Sequence, residues 1–129
     1  MSPYFLRSLA LVSAIVIGLM GGQAHAASSG TFVGASNHVT KGTVTVTKNA
    51  DGTATVTLES DFWFDGAPDP RVGFGNNGKY TKGTDISLLQ ANTGKQTFVV
   101  PASINVDDFN EVYIWCKRFA VPLGVASLN

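Results

Sequence analysis

Between Gly42 and Glu59 apolar and polar residues alternate along the chain. Val44 and Val46 interleave with Thr43, Thr45 and Thr47, and Ala54, Val56 and Leu58 interleave with Thr53, Thr55 and Thr57. Successive side chains of a strand point to opposite faces, so each arm predicts one packed and one solvated side. Threonine suits the solvated side of an antiparallel sheet, being β-branched and polar. The connecting Asn49-Ala50-Asp51-Gly52 predicts a hairpin turn between the arms.

The same grammar runs on to the C-terminus. Apolar stretches "SDFWF", "RVGFG" and "QTFVVP" are punctuated by "DGAPDP", "NNGK" and "NTGK", and "VYIWCKRFAVPLGVASL" predicts a final pair of strands. No segment sustains an apolar repeat of 3.6 residues. Two local exceptions are expected: a turn at "DISLLQ", and one helical turn at "NVDDFN" capped by Asn105 or Asp107. The expected fold is an all-β antiparallel sandwich of about seven to nine strands, with the jelly roll as one arrangement of that class.

Residues 1–26 have a different composition: Arg7 near the start, an apolar run from Leu9 to Met20, and Ala24-His25-Ala26 at the end. This is the layout of a secretory signal peptide cut after Ala26, which leaves residues 27–129 as one exported domain, periplasmic or extracellular. The apolar run falls short of the about 20 residues that a membrane helix needs, so no membrane attachment is expected after cleavage. The remaining chain has eight basic and nine acidic residues, for a formal charge of −1. The basic residues are scattered among acids, which does not suit a phosphate backbone, and nucleic acid is not an expected partner.

After cleavage the chain keeps one histidine, His38, and one cysteine, Cys116. An oxidising compartment usually selects for paired cysteines, so a lone one needs an explanation. On a strand, Cys116 shares a face with Val112, Ile114 and Arg118, while Tyr113, Trp115, Lys117 and Phe119 take the other. That places the thiol where an apolar face runs out. A nearby guanidinium would favour thiolate, and full burial would make the sulfur inert. A disulfide-linked dimer is a third outcome and requires an exposed sulfur.

Four blocks of the chain, in order, resemble the DM thirteen domain, also called the electron-transfer DM domain. They are "GTFVGASNHVTKGTVTV", "LESDFWFDGAPDPRVGFG", "GKQTFVVPASI" and "NEVYIWCKRFAVPLGVASL". The last carries the most telling motif, Trp115-Cys116 with Phe119 three residues on. The resemblance implies an all-β domain whose cysteine serves redox chemistry, as a bare thiol or as a ligand to a prosthetic group such as haem. Such a module would act alone or with a separate redox partner.

Counting residues narrows this chemistry. There is no C-x-x-C for dithiol exchange, no C-x-x-C-H for covalent haem and no cysteine set for an iron–sulfur cluster. One histidine is too few for blue copper or the usual zinc sites, so no metal site is expected. Haem is compatible with the count, with Cys116 as thiolate ligand and His38 opposite or nearby. Tyr113, Trp115, Phe119, Phe62, Trp63 and Phe64 are candidates to line its pocket; equally, these aromatics are core fillers and His38 a loop imidazole. Asp61, Asp65 and Glu59 could pair for hydrolysis or calcium, but turn construction suits Asp65-Gly66 better. No complete catalytic motif is present. The leading expectation is therefore an exported electron-transfer module working through Cys116, with His38, Trp115 and Tyr113 as the cofactor-contacting set. The competing one is a non-enzymatic binding or structural module with a packed cysteine.

Overall fold

In the computed structural model, which describes residues 26–129, the alternating segment forms the hairpin that its pattern predicts. Strands β3 (Thr43–Lys48) and β4 (Ala54–Leu58) pair antiparallel with Val46 opposite Val56 and Lys48 opposite Ala54. Every valine and leucine of the two arms is buried, while the threonines are half-buried on the other face. The turn is held by Asp51, whose Oδ1 accepts from the Thr53 N–H at 3.0 Å. Gly52 supplies the positive φ, +88°, that the reversal needs. Nearly all of the segment read as a signal peptide, residues 1–25, lies outside the described residues.

The remaining strands extend this hairpin into one curled antiparallel sheet. Strand β1 (Ala27–Gly34) pairs with β3 through Ala27–Thr31 and with β11 (Val121–Ser127) through Phe32–Gly34, so it joins two halves. Beyond β4 lies β9 (Gln96–Val100); beyond β11 come β10 (Glu111–Cys116), β6 (Pro70–Asn76) and β7 (Lys79–Tyr80). Strand β8 (Ser87–Leu88) also pairs with β6, and β2 (Thr40–Lys41) pairs with β5 (Trp63–Phe64) in a small separate sheet. The all-β antiparallel class is as the sequence predicts. The layers expected of a sandwich are here one sheet, wrapped as a half-barrel around its own apolar face. Val44, Val56 and Leu58 from one half meet Val72, Phe74 and Ile114 from the other in a single buried cluster.

Two local expectations are corrected. "SDFWF" is strand only at Trp63–Phe64, because the preceding residues turn: Phe62 N–H donates to the Glu59 carbonyl at 3.0 Å. The Asp61 carboxylate fixes that turn by accepting from the N–H and the hydroxyl of Thr43, each at 2.9 Å. "DISLLQ" is extended, with Ser87 and Leu88 paired to Val72 and Arg71, so sheet pairing overrides the local turn signal. The single helical turn forms at Val106–Asp108, where the Asn105 side chain accepts from the Asp107 N–H at 3.1 Å.

Candidate functional site

Strand β10 carries the candidate chemistry, and its two faces have different surroundings. Val112, Ile114 and Cys116 point into the core, while Tyr113 and Trp115 point outward. On the outer face the neighbouring β6 offers glycines: Gly73 lies opposite Tyr113, and Gly75 opposite Glu111. A Cβ on Gly73 would stand 2.7 Å from Cε2 of Tyr80, and one on Gly75 would stand 2.6 Å from Cε2 of Tyr113. The rings thus rest directly on glycine backbone, a use of strand glycine for close approach.

This bed organises an aromatic cluster. Tyr80 stacks on Trp115 with ring centroids 4.0 Å apart and planes 7° from parallel, and Tyr113 meets both edge-on at 5.6 and 6.5 Å. The Tyr113 hydroxyl donates to Glu111 Oε1 at 3.1 Å, and Gly78 N–H donates to the same oxygen at 2.8 Å. Burial, reinforced by the Glu111 carboxylate, pushes the Tyr113 phenol up to about 12. Burial also raises the Tyr80 phenol. A cavity of about 600 Å³ opens beside this stack, between Tyr80, Trp115, Lys82, Gly83, Asp85, Lys117 and Ala120.

Cys116 lies on the other side. It is 1% exposed, and its thiol donates to the Pro68 carbonyl at 3.3 Å. Strand β10 ends at this residue, and a turn at Lys117–Ala120, with Ala120 at φ +53°, leads into β11. The expected shared face with Arg118 is therefore lost: the turn takes Arg118 and Phe119 out of the strand, and both are exposed. The loop 65–69 before β6 reaches the sulfur at Pro68 and is tied to this end of β10, since Lys117 N–H donates to the Asp69 carbonyl at 3.1 Å. A bulge opposite Ile114–Trp115 leaves Leu123 as the extra residue of β11. Its carbonyl turns to the β1–β2 connection, accepting from Ala35 N–H at 3.0 Å and from the Thr40 hydroxyl at 2.8 Å.

His38 sits in that connection. Its Nδ1 lies 2.8 Å from Asp65 Oδ1, and Asp65 Oδ2 accepts from Val39 N–H at 2.9 Å. The Val39 N–H, then His38, hold the Asp65 carboxyl below its ordinary range. So His38 fastens, through Asp65, the start of the loop whose Pro68 carbonyl accepts from the Cys116 thiol. The expected set is not brought together: Tyr113 and Trp115 are across the sheet from the thiol, and His38 is engaged by Asp65. The other aromatics scatter, with Phe62 and Phe64 in the core, Trp63 44% exposed beside Lys41, and Phe119 64% exposed. Glu59, Asp61 and Asp65 bind Thr45, Thr43 and His38 separately and do not converge. Among the described residues no three His, Cys, Asp or Glu side chains group to hold a metal.

The family model described as Electron transfer DM13 matches residues 31–128. The chain belongs to the electron-transfer DM13 family. It matches no curated protein and no solved structure. Among the described residues no helix is long and apolar enough to cross a membrane. A haem between Cys116 and His38 does not fit this DM13 domain. The sulfur is enclosed among core side chains and bonded to Pro68, and the cavity beside Trp115 lies on the opposite face of β10. Sequence reasoning passed over two participants. Tyr80 was readable from the alternation Val72-Gly73-Phe74-Gly75, whose bare face asks for a covering ring. Pro68 as the partner of the thiol had no sequence signal, since its contact spans 48 positions.

Proposed function

We propose that this DM13 domain is an exported electron-transfer module that exchanges reducing equivalents with a separate redox partner through Cys116. The observation that carries the reading is the position of the thiol within a family of electron-transfer domains. It stands at the last residue of β10, at the end of the strand, where the loop 65–69 that precedes β6 reaches it through the Pro68 carbonyl. A local displacement of that segment uncovers the sulfur without unfolding the sheet. The uncovered thiol loses its proton to solvent, and the thiolate attacks a partner disulfide. One Cys116–partner disulfide forms, and the partner's other sulfur leaves as a thiolate and takes up a proton. A thiol of a separate donor protein then attacks the partner's sulfur of that mixed disulfide: a donor–partner disulfide forms, the Cys116 sulfur leaves as a thiolate and takes up a proton, and the donor is oxidised as the partner is reduced.

The 1% exposure of Cys116 favours a second reading, in which the thiol is a small core hydrophobe and the domain serves binding or structure. Oxidised glutathione separates the two. Under the first reading, the folded protein acquires a glutathione adduct at Cys116 that a dithiol removes, and Cys116→Ser acquires none. Under the second, intact mass shows no adduct until denaturant unfolds the sheet.

A further inference from the structure

The cavity beside Trp115 lies across the sheet from the Cys116 sulfur, and its chemistry is separate from that of the thiol. We propose that it binds a planar heteroaromatic ring system carrying an anionic group, the chemistry represented by flavin mononucleotide. Its volume, about 600 Å³, falls within the range of small-molecule sites, about 300–1,000 Å³.

One wall is the parallel pair of Tyr80 and Trp115. Tyr80 is held from below by Gly73 and from the side by Tyr113, so the wall is set before any ligand arrives. A flat ring laid against it gains apolar contact and an offset stack, and the preset geometry lowers the cost of ordering. The charges of the cavity favour an anion. Lys117 is neutralised by Asp85 at 3.0 Å. Lys82, also in the lining, has no carboxylate partner among the described residues. Gly83 lies next to it at φ +88°, with nothing within 4 Å of where a Cβ would stand, which leaves room for a phosphate-sized group at the ammonium. No acidic side chain other than the paired Asp85 lines the space.

The test titrates the purified full chain with flavin mononucleotide, riboflavin and inorganic phosphate. The Trp63→Phe background leaves Trp115 as the reporting fluorophore. Flavin mononucleotide is expected to quench Trp115 saturably, and riboflavin, lacking the phosphate, to bind about fivefold more weakly. Phosphate alone is expected to cause no quenching. Lys82→Glu, at an exposed position, should weaken flavin mononucleotide by about fivefold or more while leaving riboflavin unchanged. Trp115→Leu should abolish saturable quenching of flavin emission; if that variant does not fold, the Lys82→Glu comparison decides. Absence of saturable binding by either flavin, equal affinity for the two, or indifference of flavin mononucleotide to Lys82→Glu overturns the proposal.

Discussion

Raising the pH above 10 should destabilise this protein in a way that can be traced to one phenol. Tyr113 is 1% exposed, and its hydroxyl donates to the Glu111 carboxylate, so ionising it would place two negative charges 3.1 Å apart inside the outer face of β10. Its pKa rises from 10.0 to about 12 on folding. Between those values the native state holds a proton that the unfolded chain has released. The contribution is therefore complete below pH 10 and is lost as pH rises through about 12. Two units correspond to about 2.7 kcal/mol. Tyr80 is raised as well and steepens the same limb. Denaturant unfolding at stepped pH gives the slope, and tyrosinate absorption in a Tyr4→Phe background follows the two described phenols directly. Tyr113→Phe leaves Glu111 with only the Gly78 N–H of its two donors, and should cost about 1.5–3 kcal/mol at neutral pH while making the alkaline limb shallower. Ionisation of one phenol near pH 10 with native circular dichroism intact, or a full alkaline slope retained by Tyr113→Phe, would contradict this origin of the alkaline limb.

Three further outcomes follow from the packing. Leu58→Ala, at a fully buried position of β4, should lower unfolding free energy by about 2–5 kcal/mol, measured by urea titration. Gly73→Ala should cost about 1–3 kcal/mol and shift Trp115 emission, because the new methyl displaces Tyr80 from the stack. At low pH, Asp51, Asp61 and Asp65, all held below their usual range by hydrogen bonds, contribute stability that is present above pH 3.8 and lost as pH falls through their lower folded values. Asp61→Asn should flatten that acid limb in a pH series of unfolding curves.

Legibility in the sequence tracked the range of the interactions. The β3–β4 hairpin, the β10–β11 pair and the Asn105-capped turn were readable because each is decided by alternation or by a cap within a few residues. Parity also placed Cys116 with Val112 and Ile114. It failed one step later, where the turn at 117–120 broke the two-residue period and removed Arg118 and Phe119 from the strand. "DISLLQ" departs from its local turn signal because β6 recruits Ser87 and Leu88, a choice made by the partner strand and not by local propensity. The candidate site is the least local part of the molecule. Pro68 over the sulfur, Asp65 on His38 and Tyr80 on Trp115 join residues 48, 27 and 35 positions apart, and only the curled sheet brings them into contact. What the sequence did offer was the bare glycine face of β6, a cue to the outer aromatic cluster.

In the proposed function the Cys116 thiol becomes available through local displacement of the loop 65–69 while the sheet, β6 from Pro70 onward included, stays folded. The most direct measurement is the rate of thiol modification by a small disulfide reagent as a function of urea, well below the unfolding transition. Local displacement exposes little surface, so the rate should be measurable and barely change with urea until the transition begins. A rate that climbs from the first additions of urea with the full slope of global unfolding would contradict it, and Cys116 would then be a packing residue.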